Sequence, residues 1–140
     1  MKTWLVNTNS KEDNNNPNGF LYMLRQNKAA AYYDRAFTID KLSTGDLVLL
    51  YHNDNRIIAV GCVVKGFEGH DFSEVDEVEH WADVNWIWNA GFDKEFRPID
   101  PIDRNDLGIT MVRPTVVNVT DQVDYRLLFE NIAKKQCLFA

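Results

Sequence analysis

One stretch and one tryptophan carry most of the chemical information in this chain. Residues Gly45 to Val64 read GDLVLLYHNDNRIIAVGCVV, and Trp81 follows in the segment HWADVNWIW. Leu47 to Tyr51 and Ile57 to Val64 are apolar runs joined by the polar bend His52-Asn53-Asp54-Asn55-Arg56, which is the pattern of a β-hairpin. Gly45-Asp46 supplies the turn into its first strand. Gly61 inside the second strand marks a bulge or a close backbone approach. A hairpin of this kind, with Trp81 beyond it, predicts a small barrel able to hold one flat aromatic ligand, and a nucleobase is the natural candidate.

Other chemistry has little to stand on. His52, His70 and His80 are scattered in loops and form no metal-ligand spacing with acids. There is no Gly-x-Ser-x-Gly elbow. Cys62 and Cys137 lie far apart in apolar surroundings, without C-x-x-C spacing, and read as core residues rather than a disulfide or zinc pair. No cofactor, metal site or catalytic residue is predicted.

The 140 residues make one domain, 1–140, with 45% hydrophobic and 26% charged residues, enough to bury a core without staples. The start, MKTWLVNTNS, has no signal-peptide run and no segment reaches membrane-spanning length, so a cytoplasmic protein without a membrane partner is expected. The formal net charge of −6 argues against sequence-blind nucleic-acid binding, which needs many Lys/Arg–phosphate contacts. It leaves room for a site that grips one base and few phosphates. Residues 68 to 83 concentrate the acids Glu68, Asp71, Glu74, Asp76, Glu77, Glu79 and Asp83, while Arg25, Lys28 and Arg35 form the main basic group.

The elements that must position these residues follow from periodicity. Residues 3–8 read as a strand, 10–19 as an Asn-rich loop and 19–27 as a short helix, with a further helical turn at 38–42. The hairpin strands take 46–52 and 56–66. The acidic, aperiodic stretch 67–80 reads as a loop. Residues 82–89 alternate as a strand, with Val84, Trp86 and Trp88 on one face, and Trp4, Trp86 and Trp88 are assigned to the core. Residues 90–108 are irregular, with a helical turn at 101–107, and 115–119 form a last strand. Thr120 makes an N-cap for a helix over 121–135, whose Tyr125, Leu128, Phe129, Ile132 and Gln136 repeat at helical spacing. The sum is an α+β fold with a barrel-like, mainly antiparallel sheet of five or six strands, flanking helices and a C-terminal helix.

In order and spacing these segments resemble the EVE domain family of the PUA-like superfamily. Its first strand has the form W-L-x-K-S-E-P, and here the residues are Trp4-Leu5-Val6-Asn7-Thr8-Asn9-Ser10. Tyr33 precedes Gly45-Asp46 as the family's tyrosine precedes its Gly-Asp, and Tyr51-His52-Asn53 is similar to its Tyr-His-Ser. Trp81 stands before Asp83-Val84-Asn85-Trp86 where the family has a tryptophan before D-V-R-F. Met111-Val112-Arg113, the strand 115–119 and Thr120 follow in family order. D-V-N-W-I-W is also similar to the D-V-R-W-I-F strand of YTH domains, and Asn9 to an Asn in their first strand. The departure is Lys-Ser-Glu-Pro become Asn-Thr-Asn-Ser, which makes that wall neutral.

The resemblance implies a reader of modified bases in DNA or RNA, methylated or hydroxymethylated, flipped into an aromatic pocket. Trp81 would be one wall and Tyr33 or Tyr32 the other. Asn7, Thr8 and Asn9 would bond the base edge or sugar, and His52 and Asn53 would reach the base or a phosphate. Each has a plainer alternative: Trp81 closing the barrel end, one tyrosine simply buried, Asn and Thr in turn chemistry, His52 and Asn53 in a hairpin bend. EVE-like and YTH-like domains also occur fused to motor subunits of modification-dependent restriction systems, so a fused or associated nuclease or motor subunit is an expected partner. The apolar end Gln136 to Ala140 suits a continuing chain. Two rivals stand against the reader. One is a protein-interaction domain docking through the acidic loop. The other is a small hydrolase of modified nucleosides, as in the ASCH branch. That chemistry needs a lysine beside a carboxylate; the first strand has only Lys2, with Asn7 where EVE members place theirs, and the expectation is a protein that is not an enzyme.

Overall fold

The computed structural model describes residues 1–8, 19–52, 56–71, 78–110 and 112–136. In chain order the elements are β1 (Thr3–Asn7), α1 (Phe20–Arg25), β2 (Lys28–Tyr32), a 3-10 helix (Tyr33–Lys41), β3 (Leu47–His52) and β4 (Arg56–Asp71). There follow β5 (Val78–Asn89), β6 (Gly91–Phe92), β7 (Pro98–Ile99), β8 (Ile102–Asp103), a second 3-10 helix (Arg104–Leu107), β9 (Val116–Asn118) and α2 (Tyr125–Gln136). The fold is α+β. Its main sheet is curled and mixed, in the order β2-β5-β4-β3-β1-β9, with β8 pairing on β4. β6 and β7 form a separate two-stranded ribbon.

Among the described residues the one parallel pairing is β1 with β3, Thr3 opposite Leu47 through Asn7 opposite Tyr51. A parallel pair needs a long crossover, and α1, β2 and the first 3-10 helix supply it. β3 is buried along its whole length, as expected for a strand covered on both faces. The core around it holds Leu5, Val6, Phe20, Met23, Ile39, Leu49, Leu50, Ile57, Ile58 and Leu107.

The turn at Gly45 and the close approach at Gly61 are both present. Gly45 has φ +91, a left-handed conformation that glycine adopts without strain. At Gly61 an added Cβ would collide with the Val84 side chain, lie 2.7 Å from the Trp86 ring and 2.9 Å from the Asn85 carbonyl oxygen. The register also shifts between Val60 and Gly61, where Ile87 is the extra residue. That bulge breaks the strict alternation expected through Trp86 and Trp88. Trp4 and Trp88 are buried, and Trp86 is half-buried with its indole N–H donating to the Met23 carbonyl at 3.3 Å.

Asp46 locks the start of β3 to the start of β1. Its carboxylate accepts from the Lys2 backbone at 3.0 Å, the Trp4 indole at 2.9 Å and the Ser43 backbone at 3.0 Å. Burial by itself pushes this carboxyl up. The three hydrogen bonds and the nearby N-terminal ammonium outweigh that and hold it below the usual aspartate range.

Several expectations are corrected. Within the stretch 67–80 the described residues are strand: β4 runs on to Asp71 and β5 begins at Val78, with Glu68 opposite Trp81 and His70 opposite Glu79. Two register shifts, around Lys65, hide the alternation of this arm. β2 was not expected, because KAAAY carries helix-forming alanines; pairing with β5 overrides that propensity. The C-terminal helix begins at Tyr125, and its N-cap is Asp124, whose carboxylate accepts from the Leu127 backbone at 3.1 Å. Thr120 instead accepts from the Thr3 backbone at 2.9 Å, tying the end of β9 to β1. Leu128 and Ile132 form the buried face of α2, and Phe129 is 47% exposed. Cys62 is half-buried and free, and Cys137 lies outside the described residues.

Candidate functional site

The turn between α1 and β2 sets up the most unusual chemistry in the molecule. Phe20 and Met23 face the core and leave Tyr22 half-buried on the flank of α1. Asn27, at φ +53, reverses the chain in a conformation that Asn tolerates better than most residues. Lys28 follows at once as the first residue of β2. Antiparallel pairing then places Lys28 opposite Asp83, Ala30 opposite Trp81 and Tyr32 opposite Glu79. Residues facing each other and two apart along a strand share one sheet face, so Lys28, Trp81, Glu79 and Tyr32 are neighbours.

The Lys28 ammonium is the centre of this group. It donates to Glu79 Oε1 at 2.9 Å and to Tyr22 Oη at 3.0 Å, and lies 2.8 Å from Glu79 Oε2. Its nitrogen is 4.5 Å from the Tyr22 ring centroid and 4.7 Å from that of Trp81. The Lys28 and Glu79 side chains are only 10% and 3% exposed. A buried charge needs a partner, and here the partner is a single carboxylate backed by two aromatic faces, each contributing cation–π attraction. Glu79 Oε2 touches the ammonium as a charge, yet no donor is aligned on it for a hydrogen bond. Tyr22, Trp81 and Tyr32 are half-buried around the pair, so a neutral, polar floor is rimmed by aromatic rings.

The residues expected to line a pocket divide into two groups. Trp81 and Tyr32 are on the site just described. Tyr33 opens the first 3-10 helix immediately after β2, and its side chain lies outside the described residues. Asn7, Thr8 and His52 sit on or beside β1 and β3, on the far side of β4 in the sheet order. The Asn7 amide nitrogen donates to the Val112 carbonyl at 2.6 Å and the Pro114 carbonyl at 2.5 Å. Thr8 donates to the Tyr51 carbonyl from both its backbone and its hydroxyl, each at 3.0 Å. His52 is buried edge-on against Phe20, with ring centroids 5.1 Å apart. Asn9 and Asn53 lie outside the described residues.

Tyr22, Lys28 and Glu79 escaped the sequence reading. Nothing in the sequence marks Glu79, among seven acids between residues 68 and 83, as buried. Lys28 stands before three alanines and reads only as one of a basic group with Arg25 and Arg35. Only the pairing of β2 with β5 brings the two together.

Among the described residues no group of three His, Cys, Asp or Glu side chains could hold a metal ion. Nor, among the described residues, is any helix long and apolar enough to cross a membrane. No curated protein matches the chain. Residues 4–119 match the family described as Domain of unknown function (DUF8426). That span runs from β1 through the end of β9 and contains Tyr22, Lys28, Glu79 and Trp81. The chain therefore belongs to this domain family of unknown function.

Proposed function

We propose that this is an EVE-type, PUA-like reader domain that takes one modified base of DNA or RNA, flipped from its strand, onto the Trp81 site. The observation that carries the reading is the half-buried Trp81, which shares the Lys28 ammonium with Tyr22 on a floor of no net charge. Extruding a base costs a few kcal/mol, and stacking on an aromatic side chain returns roughly 1–3 kcal/mol per base. A methyl group buried against the same rings adds about 0.8 kcal/mol. Tyr22 joins Tyr32 and Tyr33 as a candidate for the opposing ring. Asn7 and Thr8, engaged with backbone carbonyls, serve this reading as braces for the segment around Val112 and for β3. Such a domain suits a cytoplasmic specificity module of a modification-dependent restriction system, alone or joined to a nuclease or motor subunit. Trp81→Ala should abolish selective binding of the modified oligonucleotide while circular dichroism shows the fold intact. Unfolding of the variant would instead assign Trp81 to the core.

A second reading gains from one observation. The lysine beside a carboxylate that a nucleoside hydrolase needs is absent from β1 but present as Lys28 with Glu79. Turnover of modified nucleosides, lost in Glu79→Gln, would favour the hydrolase over the reader.

A further inference from the structure

We infer that Arg25 and Arg35 grip the phosphates on either side of the base held at Trp81, so that the site takes a nucleotide within a strand rather than a free nucleoside or mononucleotide. The inference rests on the reader function proposed above. It adds the form of nucleic acid accepted and the residues that select it.

β2 ends the strand order of the main sheet and pairs with β5 beside Trp81. Arg25 closes α1, three residues before β2 begins, and Arg35 lies three residues after β2 ends, on the first 3-10 helix. Both side chains are exposed. Three peptide steps cover at most about 11 Å between Cα atoms, which bounds the distance from Arg25 to Tyr22 and from Arg35 to Tyr32. The length of β2 sets its two ends about 14 Å apart. The rings of the site therefore lie between two cations.

In a chain of net charge −6 most cations near an acid are spent on it. Lys28 is paired with Glu79, and Lys65 with Glu68. Those two acids share the sheet face of Trp81, so their charge is met locally. No carboxylate among the described residues pairs with Arg25 or Arg35. Arg35 commits one of its five donors, Nη1, to Thr115 Oγ1 at 3.4 Å. That bond points the guanidinium along the start of β9 and leaves its other donors free. A guanidinium presents a planar fork that matches phosphate geometry. The complement of a cation, an aromatic slot and a second cation is a flat ring carried between two anions. A nucleotide inside a strand has that order of charges. A nucleoside has neither anion, and a mononucleotide has only one.

The test presents 5-methylcytosine and N6-methyladenine as nucleosides, as 5′-monophosphates and at the centre of pentanucleotides, each beside its unmodified twin, over a series of salt concentrations. The pentanucleotide should bind most tightly and the nucleoside least. Arg25→Gln and Arg35→Gln should each weaken pentanucleotide binding about fivefold at low salt, the upper range for an exposed ion pair. Each should also reduce the log–log salt slope by about one, while the ratio of modified to plain binding stays as in wild type. Lys134→Gln, which removes an exposed cation from α2, should leave the slope unchanged. A slope unchanged in the Arg25→Gln/Arg35→Gln variant overturns the inference and leaves the reader standing, provided modified base is still preferred. Equal affinity for nucleoside and pentanucleotide does the same, as does an equal loss of slope in Lys134→Gln. Absence of any preference for modified over plain base overturns both.

Discussion

Replacing Lys28 by Met tests whether the ion pair at the site is as buried as its geometry implies. Met keeps much of the aliphatic stem and removes the charge. The variant loses the 2.9 Å hydrogen bond to Glu79, the 2.8 Å charge contact, the 3.0 Å bond to Tyr22 and both cation–π contacts. With the Glu79 side chain only 3% exposed, its carboxylate is left without compensation. Removing one member of such a pair costs about 3–5 kcal/mol, whereas replacing both by apolar residues is often close to neutral. Lys28→Met should therefore lower the unfolding free energy by about 3–5 kcal/mol, and Lys28→Met/Glu79→Met should recover most of it. Urea unfolding followed by far-ultraviolet circular dichroism gives both numbers. A single-variant cost below about 1 kcal/mol, typical of exposed pairs, would refute the buried pair. So would a double variant equal to the sum of the two singles.

Three further outcomes follow from other parts of the chain. The Asp46 carboxyl is held below its ordinary range, so its contribution to stability is full above about pH 4 and is lost as pH falls through the lowered value; a pH series of urea midpoints should show that loss, and Asp46→Asn should flatten it. Gly61→Ala places a Cβ against Val84, Trp86 and the Asn85 carbonyl, and should cost about 3 kcal/mol, with a thermal midpoint close to wild type counting against the close approach. Binding of the cognate oligonucleotide should depend weakly on salt, with a log–log slope of about −2 to −3 for two or three phosphates. A slope steeper than about −5 would point to backbone contacts as the main binding mode.

The hairpin was legible because its signals are local. Apolar β-branched runs, a polar bend and two glycines with distinct backbone roles are all written within twenty residues, and β3 and β4 follow them. The end of α2 was legible for the same reason, while its start was not: Thr120 and Asp124 both suit an N-cap, and the choice depends on Thr120 being drawn to the Thr3 backbone. β2 was hidden by alanines whose local preference is helical, and the distal arm of β4 and β5 by charges and bulges. For the site, Trp81 stood out as an aromatic residue between an acidic run and a strand. Lys28 and Glu79 did not, because a buried ion pair separated by 51 positions leaves no local trace. The burial of Glu79 exists only once the sheet has formed.

The most direct test of the reader function is a titration of the intrinsic tryptophan fluorescence with short oligonucleotides. They should be single- and double-stranded, of DNA and RNA, with adenine or cytosine plain, N6-methylated, 5-methylated or 5-hydroxymethylated. The account predicts saturable quenching by one modified oligonucleotide over its plain twin, lost in Trp81→Ala. No response to any member of the panel, or equal response to modified and plain bases, would contradict it.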